Sequence, residues 1–227
     1  MDSHPDQDKT AEAQPTADRN SSPEDANVVR QLLNAKVAEK DEAPLALIGL
    51  RDLTALSVLL AIVGGAESWA RLTDLAIAQF VLVFLGLIGG VALAALGHEW
   101  GHLAGARLSG GHSPIRPIKA FPQVFRFDFA SNSHTSFIWM SVGGSVGNWA
   151  MTLVLIIVLQ LGSMSAQALI AGAVAFSVFI SLADFPIIKN ARTGMSAREA
   201  YKLVPKNLGR RYGAQALVAA FLTFILL

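Results

Sequence analysis

From residue 44 to the C-terminus, long runs of apolar side chains alternate with short polar stretches. Runs of about 18 residues or more mark helices that cross a bilayer, not the two-faced elements of a soluble core. Five are expected, over residues 44–66, 74–108, 137–161, 166–188 and 213–227. Arg51 and Asp52 interrupt the first near its start, whereas residues 75–97 of the second carry no charge. The fifth falls short of the roughly 20 residues that a spanning helix needs.

The polar stretches have periodicities of their own. Pro114, Pro117 and Pro122 exclude a long helix between the second and third runs, and residues 124–129, VFRFDF, alternate apolar and polar. Period two predicts a strand with one greasy face, whose edge would suit strand addition by an unwound peptide. Ser196-Ala197-Arg198-Glu199 predicts a capping box that opens a short helix, which Pro205 limits. Upstream, Val28, Val29, Leu32, Leu33 and Val37 recur at helical spacing and predict a short amphipathic helix. Residues 1–26 hold too little apolar surface to offset their ordering entropy. The chain therefore divides into a disordered acidic tail with a short amphipathic helix, 1–43, and a membrane-embedded domain, 44–227. The expected fold is an all-α polytopic membrane protein with about five transmembrane helices and a small β element between the second and third.

Composition strengthens this division. The chain is 52% hydrophobic and 15% charged, against about a quarter charged for an average soluble domain. Residues 1–42 hold ten of the seventeen acidic residues, so the remainder is still more apolar. Charge also orients the bundle. Arg107, Arg116, Lys119 and Arg126 follow the second run, and Lys189, Arg192, Arg198, Lys202, Lys206, Arg210 and Arg211 follow the fourth. The opposite connections offer only Arg71. By the positive-inside rule the basic end and the N-terminus are cytoplasmic, and a bacterial plasma membrane is the expected location. A net charge of +1 without a basic, aromatic-studded stripe gives no support for a nucleic-acid partner. The absence of cysteine leaves metal ligation to His, Asp and Glu.

The candidate chemistry lies in the second run, at His98-Glu99-Trp100-Gly101-His102. Four residues apart on a helix, His98 and His102 share a face and can chelate one Zn²⁺. Glu99 beside them suits a general base acting on the water that attacks a peptide carbonyl. A lone ionisable side chain at a bilayer centre costs roughly 2.5–3.5 kcal/mol on insertion scales, so three at metal-site spacing favour a metal over coincidence.

With its flanks, VALAALGHEWGHLAGARLSG at residues 91–110, this motif resembles the site-2 protease family of intramembrane zinc metalloproteases. Gly144-Ser145-Val146-Gly147-Asn148 in the third run is similar to the family's Gly-Pro-x-x-Asn element, with Ser145 in place of proline. The resemblance implies that Asn148 positions substrate or water; an interhelical hydrogen bond is the structural alternative. The family's usual third ligand comes from a Leu-Asp-Gly element, but here Lys189 falls at the aspartate position and Asn190 at the glycine. Asp184, the carboxylate of the fourth run, is the expected third ligand, and a pair with Lys189 or a following arginine is its alternative. Asn190, His112 and His134 are weaker candidates. The resemblance implies hydrolysis of peptide bonds in or near transmembrane segments of a membrane-protein substrate, within the lipid bilayer. The competing readings are a non-proteolytic, site-2-protease-like membrane scaffold and a metal transporter, for which the chain lacks a path of further ligands.

Overall fold

The computed structural model describes residues 40–227; the tail and the amphipathic helix expected before residue 40 lie outside the described residues. Among the described residues, four helices are long and apolar enough to cross a membrane: α1 (Leu45–Thr73), α2 (Ala76–Leu108), α3 (His134–Val158) and α4 (Met164–Arg192). In lipid every backbone N–H and C=O must be satisfied within its own segment, and an unbroken helix does this. The helix ends follow local chemistry. Asp74 closes α1 in the left-handed conformation with its N–H on Ala70 O, which Asp tolerates better than most residues. Ser133 and Ser163 cap the first turns of α3 and α4 through their side chains. Ser196 and Glu199 form the expected capping box at the start of α5 (Ala197–Lys202).

The fifth apolar segment also forms a helix, α6 (Leu208–Leu226). It starts ahead of its apolar run and takes Arg210 and Arg211 into its first turn, and it does not join the four apolar spans. α2 is the central element and packs against α1, α3 and α4, while α6 packs on α4. Leu82, Leu93 and Ala94 of α2 meet Leu169, Ile170 and Ala173 of α4 in the main core. Apolar side chains on the other faces remain exposed, among them Leu53, Phe80, Phe84 and Ile157, as the outer surface of a membrane-embedded bundle requires.

The expected β element is not formed. Among the described residues the connection between α2 and α3 holds one isolated antiparallel bridge, Ile115 with Phe125. Arg116 N donates to Val124 O and Arg126 N to Pro114 O, and the pairing stops there. Pro114 and Pro117 bring no N–H to a ladder, and a short helical turn at Ile118–Ala120 interrupts the partner. Phe125, Phe127 and Phe129 face one cavity, but Arg126 lines it as well, so the side chains do not divide between two faces as a strand's would. The segment just before α1 docks on this connection. Asp41 accepts from Ile115 N at 2.8 Å, Glu42 N donates to Ile115 O, and Ala43 is buried.

Candidate metal centre

α2 presents His98 and His102 one turn apart, with their Nε2 atoms 2.8 Å from each other. α4 brings Asp184 alongside, its Oδ2 3.9 Å from His98 Nε2. The three ligand atoms lie within 4.8 Å of one another and could hold a metal ion. The Asp184–Lys189 pair is not formed among the described residues; instead Ser145 Oγ of α3 approaches Asp184 Oδ2 at 3.4 Å. His112 and His134 stay apart from the group: His112 N–H is held by Asn132, and His134 Nε2 bonds Ala191 O between α3 and α4.

Hydrogen bonding decides the imidazole tautomers. His102 Nδ1 is 2.8 Å from Met140 O, and a carbonyl only accepts, so this nitrogen carries the proton and Nε2 keeps its lone pair. The 2.8 Å contact between the two Nε2 atoms then requires His98 Nε2 to donate. His98 Nδ1 is left as acceptor, and the fully buried Asn148 supplies its amide N–H at 3.2 Å. With that orientation the same amide donates to Gly144 O at 2.8 Å, and its oxygen accepts from Ser177 Oγ and Trp149 N.

The space between the two Nε2 atoms and Asp184 Oδ2 could hold a divalent cation. Tetrahedral zinc with Zn–N bonds of about 2.0–2.1 Å holds two ligand nitrogens about 3.3 Å apart. The Nε2 atoms need only part by about 0.5 Å to reach that spacing. Two imidazoles and one carboxylate would leave the fourth position of a tetrahedral site open. Met140 O already holds His102 in the ligating tautomer, an outer partner of the kind metal-binding histidines use.

Glu99 faces a cavity of about 320 Å³ together with His102 and Asp184. The Val124 N–H hydrogen-bonds its carboxylate, and Arg116 and Asp52 are charged neighbours. Phe125, Phe127 and Phe137 supply much of the apolar wall. The expected set is thus brought together: His98, His102 and Asp184 converge, Glu99 shares their cavity, and Asn148 touches His98.

Other contributors were not singled out in the sequence. Asp52 is buried and accepts from Trp100 Nε1 at 2.9 Å. Arg51 Nε donates to the same carboxylate at 2.7 Å. Arg51 also donates to Ile118 O at 3.0 Å and lies over the Phe121 ring. The motif's Trp100 is therefore the anchor through which α1 and the α2–α3 connection are braced on the ligand-bearing helix. Two charges interrupting an apolar run were the available signal. Gly144, noted above only as part of the Gly-Pro-x-x-Asn likeness, also makes room for the site: a Cβ there would collide with the His102 ring.

Compared with protein-family models, curated proteins and solved structures, the chain matches none.

Proposed function

We propose that this chain is an intramembrane zinc metalloprotease of the site-2 protease type, which hydrolyses peptide bonds in or near transmembrane segments of other membrane proteins. The observation that carries this reading is the convergence of His98, His102 and Asp184 from two membrane-spanning helices beside a cavity that Glu99 also faces. A zinc ion held by these three residues supplies Lewis acidity that brings water's ionisation near neutrality. Glu99 takes the proton of the attacking water and delivers it to the leaving amine. Met140 O and the Asn148 amide oxygen, each accepting from an imidazole Nδ1–H, hold His102 and His98 in place. The phenylalanine wall shields the reacting bond from bulk water and accepts apolar side chains of the substrate. The basic end of the bundle lies in the cytoplasm, and the membrane is a bacterial plasma membrane.

The test combines metal content with cleavage. Parent, Glu99→Gln and Asp184→Ala proteins are purified, their zinc is measured, and each is assayed against a panel of transmembrane peptides. About one zinc per chain is expected in the parent and in Glu99→Gln, with cleavage by the parent alone. Asp184→Ala should lose both. Stoichiometric zinc and full cleavage in Asp184→Ala would remove Asp184 from the ligand set; equal cleavage by parent and Glu99→Gln would remove the protease reading.

A further inference from the structure

A second feature of the α3–α4 pair lies on the outer face of the bundle. Val142, Val146, Trp149 and Leu153 of α3, with Phe185 and Ile188 of α4, line an apolar groove of about 540 Å³. Trp149 Nε1 donates to Ser181 Oγ at 3.0 Å across the two helices. The Ser145–Asp184 contact bridges them one turn further towards the basic end. Phe185 and Ile188 are shared with a second depression, whose other walls are Lys189, Arg192 and Thr193. Lys189 and Arg192 are exposed, and neither forms an ion pair among the described residues.

The pairs Ser145–Asp184 and Trp149–Ser181 set the register of these antiparallel helices. That register puts Lys189 and Arg192 beyond the Val142 end of the groove, and Leu153 away from them. From Val142 to Leu153 the groove runs about 16 Å along α3. One leaflet of a hydrocarbon core about 30 Å thick measures about 15 Å. Two unpaired cations at headgroup level above an apolar channel one leaflet long complement one kind of molecule. We propose that this groove is a binding site for an anionic phospholipid, with its phosphate on Lys189 and Arg192 and an acyl chain between α3 and α4. The site does not depend on the protease reading. It does meet the metal centre at one point, because Ser145 lines the groove and contacts Asp184.

Trp149 is a built-in reporter. The full chain is placed in phosphatidylcholine vesicles containing a small fraction of phosphatidylglycerol with brominated acyl chains. The quenching of Trp149 is read as the difference between the parent and Trp149→Phe. Brominated phosphatidylglycerol should quench Trp149 well beyond its bulk fraction, and brominated phosphatidylcholine only in proportion to it. A surface cation contributes about 1 kcal/mol to anionic lipid binding, so Lys189→Ala with Arg192→Ala should weaken the preference about 30-fold. Ala150→Phe, which fills the groove from an exposed position without adding a tryptophan, should abolish it while zinc content stays unchanged. Equal quenching by the two lipids, the result of bulk lipid contact alone, would overturn the proposal. So would relief of quenching by a single-span peptide that excess unlabelled phosphatidylglycerol fails to reproduce, because the occupant would then be a protein helix.

Discussion

Asn148 is fully buried among Gly144, Ser145, Ser177 and His98, and its amide can satisfy His98 Nδ1 in either protonation state by turning over. With Nδ1 unprotonated the amide nitrogen donates to it; with Nδ1 protonated the amide oxygen accepts from it. Metal ligation through His98 Nε2 needs the second arrangement, so Asn148 acts on the ion through the imidazole. Removing such an outer partner typically costs 10–100-fold in metal affinity. Asn148→Ala should therefore weaken zinc binding by about that factor in a competitive chelator titration, and unchanged affinity would reduce the residue to a helix-packing contact. Gly144→Ala should have a similar effect by a different route, because the new methyl displaces the His102 ring. The HEWGH ligands were legible because their geometry is local: one helical turn sets it whatever surrounds them. Asp184 was legible only as a carboxylate stranded in an apolar run. The roles of Met140 and Gly144 were not, since one contributes a backbone carbonyl and the other the absence of a side chain.

At the level of helices, the position of the ligands on α2 depends on how closely α3 approaches. Gly97, Gly101 and Gly105 recur every fourth residue and face Trp139, Gly143 and Gly147 of α3. A Cβ on Gly101 would run into Gly143 O, and one on Gly105 into Trp139 O. Small residues at this spacing let helix backbones pack directly against each other, which is a main source of helix association in lipid. Overpacking a tight interface costs about 1–3 kcal/mol. Gly101→Val should therefore lower the thermal midpoint of the purified protein by several degrees. Gly65→Val in α1, where a Cβ meets nothing within 4 Å, should leave it unchanged; equal midpoints for the two variants would count against the α2–α3 seam. The apolar runs disclosed the spans, yet pairing between them rests on glycine spacing that hydropathy does not register. The 124–129 segment shows the converse. Its alternation promised a strand, but Arg126 lines the same cavity as the phenylalanines, and strand pairing also needs a partner with free donors, which Pro114 and Pro117 remove.

For the whole molecule, the charge pattern bears on which membrane face the candidate metal centre lies nearer. α2 is 33 residues long, about 50 Å, and so exceeds a 30 Å hydrocarbon core by about 10 Å at each end. His98 lies ten residues before the end of α2 at Leu108, about 15 Å along the axis. With α2 centred on the core, His98 sits about 5 Å inside the hydrocarbon boundary on the basic side, and His102, one turn further on, at about the boundary itself. At that level His102 and Asp184 still face the cavity lined by Phe125, Phe127 and Phe129. Cleavage should fall near the cytoplasmic end of a substrate's span if the basic side is cytoplasmic. The orientation is open to a direct test, because the chain contains no cysteine. Thr193 at the basic end and Gly162 at the opposite end are both exposed, and each can be replaced singly by cysteine. In intact cells a membrane-impermeant maleimide should label Gly162→Cys at once and Thr193→Cys only after permeabilisation. The reverse pattern would put the metal centre on the outer face. The basic loops would then defy the positive-inside rule, and the substrate would have to be cut from the other side of the membrane.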